Sequence, residues 1–391
     1  MTEAVANVRY RWRMGTEARA LTLLTFGLLA FGLVTVYSAS AITALQDGHS
    51  GAYFVLRQGV GMLAGLVPFA IAAKLDAERW YTWAWPIMIA SLVTLAFVVL
   101  PFTIHFAPRI HGARRYLFGA SVQPSEIAKL AVVVWTSMLV VKKGDAMRRL
   151  SKGLFPFLVV VGALDILVYV EPDLSSAMFY TLVMGIILFS AGVRVGHFVA
   201  MGVIGIPLLY AKAQKLQYVM LRMSAFFDPG TALAHVDYQA KQSLIAVGSG
   251  GAWGVGFGQG RQQYGFLPFA YDDFIGGNIG EEWGFLGLTV IVLAFAAYAA
   301  LGFRIARKAR SRFQQLLAIG IVSTMVITAF VHIGVAINLL PNTGLTLPFI
   351  SYGRSNLILS LLMTGILVNI GSERERVTGS GATNPMVIDP A

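Results

Sequence analysis

Stretches of about 20 apolar residues recur along nearly the whole chain, and this repetition limits the fold more than any other feature. About 20 apolar residues are what a helix needs to cross a bilayer. Charged residues make up only 13% of the chain, about half the fraction usual in soluble domains. The pattern predicts an all-α polytopic membrane protein with ten transmembrane helices, at 18–40, 53–73, 80–101, 124–141, 154–170, 174–191, 196–210, 278–302, 314–340 and 355–370.

The basic residues are placed as membrane topology would place them. A net charge of +11 would favour a nucleic-acid partner in a soluble protein. Here five basic residues fall within Lys142–Lys152 and five within Arg304–Arg312, and four more arginines lie in residues 9–19. Such clusters mark cytoplasmic loops, so no nucleic-acid partner is predicted. Ten crossings place both clusters, the N-terminus (1–17) and a disordered tail (371–391) in the cytoplasm, around one membrane domain (18–370).

The first apolar run has a second interpretation, as a secretory signal peptide. An arginine-rich start, an apolar run and the sequence YSASA together resemble a signal with its cleavage site. Signal peptides have apolar regions of 7–15 residues, whereas this run has about 20. We therefore interpret 18–40 as an uncleaved first helix.

Two stretches on the predicted outer face are too long to be simple connectors, 102–122 and about 211–277. Loops longer than about 15 residues without structure are uncommon unless they are functional. Within the second, 216–230 mixes aromatic and aliphatic residues as an interfacial helix does. A further short helix is predicted from an N-cap at Asp237 to the glycines near 250.

Several classes of site are excluded. The chain has no cysteine, which rules out disulfides and thiolate metal sites. Seven glycines lie in the run GSGGAWGVGFGQG, residues 248–260, but a dinucleotide site would need a preceding strand and a βαβ unit. We interpret these glycines as permitting close backbone approach to a helix, a lipid or a phosphate.

Charges on the outer side have no topological explanation. Arginine guanidinium groups match phosphate geometry, so an outer cavity lined by them suits an anionic ligand. Intramembrane charges also commonly pair with one another, and Glu126 and Lys129 are spaced to do so on one helix face. Asp165 is expected to have a partner as well. For any single charge, a structural pair and a ligand contact both remain open.

The stretch LPFAYDDFIGGNIGEEWGFLG, residues 267–287, gathers four carboxylates at the start of the eighth predicted helix. If that helix begins near Asp273, Glu281 lies about 12 Å deeper. Glu281 and Glu282 are therefore expected to be buried, with basic or amide partners. Asp272 and Asp273 are expected at the water–membrane boundary, ionised. Spacing alone does not decide whether Asp273 caps the helix or acts as a base, and Gly276–Gly277 are expected to loosen the helix entry.

The ordered motifs GARRYLFGASVQPSEIAKL, EPDLSSA, YQAKQSLIAVGSGG, DDFIGGNIGEEWGFLG and LLPNTGLTLPFISYG resemble those of the SEDS family, the RodA/FtsW peptidoglycan glycosyltransferases. VYSAS, YFVLRQ and YQAKQSLIAVGSGG are more similar to the FtsW, cell-division branch than to the RodA branch. The resemblance covers nearly the whole chain. It implies polymerisation of lipid II into β-1,4 glycan on the outer face of the cytoplasmic membrane.

The resemblance also implies roles for individual residues. Asp273 matches the catalytic aspartate of the family and is expected to deprotonate the acceptor GlcNAc 4-hydroxyl, in an inverting displacement of undecaprenyl pyrophosphate without an enzyme nucleophile. Arg115, beside Arg114, is expected to contact the pyrophosphate. The other residues expected to bind substrate or shape its cavity are Tyr116, Glu126, Lys129, Asp173, Gln242, Ser243, Arg261, Glu281, Glu282, Thr343, Ser351 and Arg354.

This chain departs from the family pattern at several positions. DFIGG stands where DFIFA is usual, HGARRY for NGARRW, EPDLSSA for PDLGTA, His332 for an asparagine and SYGRSN for SYGGSS. The glycine pair is expected to start the eighth helix later and make it more flexible. Arg354 could add a phosphate contact or be an ordinary interfacial arginine.

The resemblance implies a class B penicillin-binding protein, a transpeptidase, as partner, with the nascent glycan strand and other division-complex membrane proteins. No residue cluster demands a cofactor, although a divalent cation, Mg²⁺ or Mn²⁺, near the pyrophosphate is chemically sensible. Two other functions stay open. The chain could be a lipid II flippase or transporter, since transporters carry intramembrane charges, or an inactive division scaffold. Within the family, a RodA-type elongation polymerase is the alternative.

Overall fold

A computed structural model describes residues 9–100, 114–117, 122–148, 153–199 and 234–377, with single residues and pairs within 103–108 and 202–227. Its described part is nearly all helical. The helices are α1 Thr16–Gln46, α2 Tyr53–Lys74, α3 Arg79–Val99, α4 Pro124–Lys143, α5 Phe155–Val170, α6 Leu174–Ser190, α7 Ala234–Gly250, α8 Ile275–Arg307, α9 Arg312–Ala336 and α10 Arg354–Ile370. Two strands, β1 Arg9–Met14 and β2 Ser372–Val377, complete it.

Six of these helices, α1 to α4, α8 and α9, are long and apolar enough to cross a membrane, and α5, α6 and α10 are shorter apolar helices. They occupy nine of the ten stretches predicted to span. The seventh predicted span, 196–210, lies mostly outside the described residues, and so does most of the interfacial helix predicted at 216–230. The predicted cap at Asp237 is wrong, because α7 already includes residues 234–237.

Helix α4 is the centre of the bundle, with nearly every side chain from Pro124 to Val140 buried. Small residues let the surrounding helices pack closely, as is usual in membranes. A Cβ atom added at Gly365 of α10 would lie 2.5 Å from the Phe69 carbonyl oxygen of α2. One added at Gly320 of α9 would lie 2.7 Å from Val133 of α4. The helices of this core, with the polar groups that they carry, are therefore held by close contacts near their backbones.

The two ends of the membrane domain are tied together by a short antiparallel sheet. Strand β1 pairs with β2 from Arg9 opposite Val377 to Met14 opposite Ser372, and the Gly15 N–H donates to the Gly371 carbonyl at 3.2 Å. The prediction of an all-α fold with a disordered tail from residue 371 is wrong for 372–377. In β1, charged residues alternate with residues that favour strands, but the strand is too short for this pattern to be recognised in the sequence.

Helix α8 consists of two helical parts that meet at Gly284, where φ is 66° and ψ is −164°. The depth of the first part in the bundle follows from its contacts with two long helices. Glu282 accepts a hydrogen bond from Ser38, which lies about 28 Å along α1 from Arg19. Gly276 contacts His332, which lies about 30 Å along α9 from Arg312. Residues 275–283 therefore run across the far end of the bundle, opposite the basic helix ends. The prediction that Glu281 lies 12 Å deeper than Asp273 is wrong.

The glycine run pairs with this break in α8. Backbone N–H groups at 255 and 256 donate to carbonyls at 281 and 282, and those at 285 and 286 donate to carbonyls at 251 and 252, at 2.8–3.2 Å. Gly254 has φ of 83°, and a Cβ there would lie 2.1 Å from the Glu282 carbonyl oxygen. We call residues 251–256 the glycine staple. It satisfies backbone groups that the break frees, as membrane proteins require, which confirms close approach to a helix.

Candidate functional site

Asp273 lies in the turn that leads into α8, at the far end of the bundle. The N-cap residue of α8 is Phe274, so Asp273 lies one residue before the N-cap position. Asp273 is half-buried, and its Oδ2 lies 3.7 Å from where a Cβ on Gly344 would stand. Because Gly344 has no side chain, the loop 337–353 approaches the carboxylate without covering it.

Ser351 fixes the Asp272–Asp273 segment against that loop. Its Oγ donates to the Asp272 carbonyl oxygen at 2.9 Å and accepts from the Leu347 N–H at 2.9 Å. The Gln58 amide on α2 donates to the Ser351 carbonyl at 2.9 Å. The Ser351 hydroxyl, predicted to bind substrate, is thus buried and already engaged on both sides. Gln58 was not predicted, although an amide within an apolar stretch was a signal for it.

The two neighbouring aspartates differ in environment. Asp272 was expected to be ionised at the water boundary, but its Oδ1 is buried with no hydrogen-bond partner in the described part. Burial, and then the negative charges of Asp273 and Glu126, hold the pKa of Asp272 well above its usual range. A pair of carboxyls whose environments diverge is a common arrangement for acid–base chemistry. Asp272 is the member of the pair that burial favours in the protonated form.

Tyr116 lies on the same side of the bundle as these acids. Burial raises its pKa, nearby acids including Asp273 raise it further, and Arg115 opposes them. The phenol therefore stays protonated and can donate a hydrogen bond. Tyr116 is thus close enough to the aspartates for their charges to affect it, and its role in substrate binding stays a prediction.

Arg114 and Arg115 each donate hydrogen bonds to backbone carbonyls. Arg114 donates to the Leu100 carbonyl at 3.0 Å, and its Nε is buried without a partner in the described part. Arg115 donates to the carbonyls of Glu171, at 3.1 Å, and Pro172. Each guanidinium has five N–H donors, so a phosphate contact remains compatible with these anchors.

Glu126 and Lys129 form the predicted pair on α4, with 2.7 Å between Nζ and Oε1. Both side chains are buried, and the Asn356 amide of α10 donates to the other Glu126 oxygen at 3.3 Å. Asn356 was not predicted. The Asn356 hydrogen bond links the pair on α4 to α10, and the role of the pair in shaping the cavity stays a prediction.

We expect Lys129→Ala to cost about 3–5 kcal/mol of stability, because it leaves Glu126 buried and uncompensated. SDS titration of the purified protein in mixed micelles would measure this. The matched control is the double variant Glu126→Gln with Lys129→Met, which keeps an acceptor for Asn356 and should stay close to the wild type. Equal loss in both proteins would contradict a buried ion pair.

At the corner between α5 and α6, Asp173 caps α6 by accepting from the Ser176 N–H at 3.2 Å and its hydroxyl at 2.8 Å. Both Glu171 oxygens beside it are buried without a hydrogen-bond partner in the described part. Burial, and then Asp173, raise the pKa of Glu171 to about 8. Asp165, expected to have a partner, accepts from the Thr181 hydroxyl at 2.8 Å.

The raised pKa of Glu171 predicts a pH-dependent stability. Between about pH 4.5 and 8 the native state binds the proton more tightly than the unfolded state, so stability falls as pH rises through that window. Glu171→Gln, which is neutral throughout, should flatten the dependence. Melting temperatures of both proteins across pH 5–9 would measure it, and parallel curves would contradict the assignment.

Glu281 and Glu282 are buried as predicted. Glu281 accepts from the backbone N–H groups of Arg261, at 2.8 Å, and Gln262, at 3.2 Å. The partners are therefore backbone amides and a serine rather than basic side chains. These two acids on α8 hold the segment that follows the glycine run, through Glu281, and α1, through Glu282.

The remaining predicted site residues are Ser243, Thr343, Arg354, Gln242 and Arg261. Ser243 is fully buried and donates to the Ala336 carbonyl at 2.6 Å, which favours a structural role. Thr343, beside Gly344, has a buried hydroxyl without a partner in the described part. The stem of Arg354 packs over Gly61, where a Cβ would lie 2.9 Å from its Cγ. Gln242 is half-buried and Arg261 exposed.

Gly276 and Gly277 are buried and tightly packed. A Cβ on Gly276 would lie 2.8 Å from that of Ala336, and one on Gly277 would lie 2.7 Å from the Ser243 hydroxyl. The expectation that they loosen the start of α8 is wrong, because they let α8 pack directly on α7 and α9. Within the described residues, no three His, Asp or Glu side chains are grouped as a protein-only metal site.

Comparisons with known proteins give matches over nearly the whole chain. A model of the FtsW/RodA/SpoVE family, described as "Cell cycle protein", matches residues 19–376. A probable peptidoglycan glycosyltransferase FtsW of Trichlorobacter lovleyi is 36% identical, covering 96% of this chain and 99% of that protein. Stage V sporulation protein E of Bacillus subtilis is 34% identical, with 90% and 95% covered.

Solved structures share the fold. One from a study titled "Structural coordination of polymerization and crosslinking by a peptidoglycan synthase complex" matches with a TM-score of 0.74 at 24% identity, covering 90% of this chain and 97% of that chain. The rod shape determining protein RodA of Thermus thermophilus matches with a TM-score of 0.62 at 22% identity, with 90% and 95% covered. A multi-pass membrane protein with this fold and these relatives belongs to the FtsW/RodA/SpoVE family of SEDS proteins, on its FtsW branch.

Proposed function

We propose that this protein is a peptidoglycan glycosyltransferase that polymerises lipid II into β-1,4 glycan strands during cell division. The observation that carries the proposal is the position of Asp273, half-buried in the turn before α8 and facing Gly344 of loop 337–353. Support comes from the relatives, several of which are named probable peptidoglycan glycosyltransferases.

Asp273 is the proposed general base. An inverting displacement needs a carboxylate that removes the proton from the attacking hydroxyl, and this step is typically worth about 10²–10⁴-fold in rate. Asp272 next to it is neutral, so it does not repel the leaving anion and can donate a hydrogen bond. Tyr116 and Thr343 offer further hydroxyl groups for orienting the sugars.

Arg114 and Arg115 are the proposed seat of the departing pyrophosphate. Their carbonyl anchors hold the guanidinium groups in place before substrate arrives, which makes charge stabilisation more effective. A divalent cation beside the pyrophosphate would add to this charge stabilisation, since Mg²⁺ commonly combines one or two carboxylates with substrate phosphates.

The proposed orientation places the basic helix ends and both termini in the cytoplasm, following the positive-inside rule, and Asp273 on the outer face. Ten spans, including one in 196–210, and a large outer segment at about 211–277 complete this topology. The outer location suits a lipid-linked donor, whose pyrophosphate replaces nucleotide as the leaving group.

A class B penicillin-binding protein is the proposed partner. One solved structure that shares this fold comes from a peptidoglycan synthase complex. A transpeptidase placed beside the outer site would receive each glycan strand as it is made.

The test is polymerisation of purified lipid II by the reconstituted protein, alone and with its transpeptidase. Glycan chains that resist extraction and are cut by muramidase are the expected product. Movement of fluorescent lipid II across liposomes without polymer would instead favour a flippase, and neither activity in a complex that assembles would favour a scaffold. Genetic replacement of an elongation polymerase, and not of the division enzyme, would favour a RodA-type role.

A further inference from the structure

We propose that His332 is a positioning residue for Asp273, because its imidazole joins the backbone of the two segments that flank the carboxylate. The inference rests on the proposed function, in which Asp273 is the base. His332 is 1% exposed and lies on α9, and its ring bonds to backbone groups, so it acts on the carboxylate through the backbone.

Both ring nitrogens are engaged. Nδ1 lies 2.8 Å from the Leu345 carbonyl oxygen, and Nε2 lies 3.3 Å from the Gly276 backbone nitrogen. A carbonyl can only accept, so Nδ1 carries the proton. The Gly276 N–H can only donate, so Nε2 is bare. The geometry therefore assigns the neutral ring with its proton on Nδ1.

The two partners belong to opposite walls of the site. Gly276 is three residues beyond Asp273, in the first turn of α8. Leu345 follows Gly344, the residue that faces Asp273 Oδ2. The imidazole consequently sets the distance between the helix that carries the base and the loop across from it.

The ring fits because Gly276 has no side chain. A Cβ at Gly276 would already touch the ring, at 3.4 Å from His332 Cδ2 and 3.5 Å from Nε2, and would overlap the Ala336 Cβ at 2.8 Å. A side chain larger than a methyl group at position 276 would therefore push the imidazole away from one of its two partners. Gly276 and His332 act as a matched pair.

Removing the ring should reduce turnover without weakening substrate binding. Misplacement of a catalytic group by about 1 Å costs about 10²-fold in rate, so His332→Ala should lower kcat about 10- to 100-fold with KM for lipid II little changed. His332→Asn, which can still donate to Leu345, should recover part of kcat. The control is Thr328→Ala, one turn earlier on α9, whose buried hydroxyl donates within the helix to Thr324 at 2.7 Å and should leave kcat unchanged.

Nitrogen-15 NMR of the histidine-labelled protein in lipid supplies a readout independent of activity. The difference spectrum between the wild type and His332→Asn should show one neutral imidazole protonated on Nδ1. A charged ring, an Nε2–H tautomer, or full kcat in His332→Ala would overturn the inference. Failure of the proposed function gives a different result, because Asp273→Asn itself would then remain active. An inactive Asp273→Asn together with a fully active His332→Ala would overturn only the inference about His332.

Discussion

Asp273→Asn should make glycan about 10²–10⁴ times more slowly than the wild type, the range that loss of a general base produces. Asparagine keeps the size and hydrogen-bonding outline of the side chain but cannot take a proton. The N-cap residue of α8 is Phe274 rather than Asp273, and asparagine has the same size as aspartate, so the variant should keep its fold. Initial rates of lipid II polymerisation by the complex with its transpeptidase would measure the loss.

The matched control is Asp272→Asn, in the adjacent position. Because burial and neighbouring charges keep Asp272 protonated, the amide replaces a group that is already neutral, and the rate should stay within roughly tenfold of the wild type. The reverse order, with Asp272→Asn inactive and Asp273→Asn active, would exchange the roles of the two acids.

Gly284→Ala should destabilise the protein by about 4 kcal/mol or more. A side chain at this positive φ costs about 1–3 kcal/mol, and its Cβ would lie 2.3 Å from the Gly254 nitrogen and 2.7 Å from the Ala252 carbonyl oxygen. The staple would have to move away, and each backbone group left unpaired costs a further 1–3 kcal/mol or so. Melting in detergent would measure the loss.

Gly248→Ala is the control for that experiment. Gly248 lies in α7, three residues before the staple, and a Cβ there meets nothing within 4 Å. Alanine favours a helix over glycine by about 1 kcal/mol, so this variant should melt at or above the wild-type temperature. Equal melting of the two variants would contradict the pairing of the staple with the break in α8.

The sequence was sufficient for the features that depend on local pattern. Apolar runs located nine helices, the i, i+3 spacing of Glu126 and Lys129 predicted their contact, and the glycine run correctly indicated close backbone approach. It could not show that α8 breaks at Gly284, because a single glycine in an apolar stretch is compatible with a continuous helix. The depth assigned to Glu281 was wrong for that reason.

Contacts between distant segments were also beyond reach. Asp272 and Asp273 look equivalent in sequence, and only the structure shows that Oδ1 of Asp272 is buried without a partner in the described part while Oδ2 of Asp273 faces Gly344. Likewise, Ser351 is an ordinary loop serine until its bonds to Asp272 and Leu347 are seen. The part of the site that depends on tertiary packing is the part that spacing could not supply.

The central claim, that residue 273 faces a substrate-accessible surface on the outer side, can be measured directly because the chain has no cysteine. A single Asp273→Cys substitution in spheroplasts gives one thiol to label. A membrane-impermeant maleimide added outside should react with it, and lipid II should slow that reaction. Labelling only from the cytoplasmic side, or an outer rate that lipid II does not change, would contradict the account.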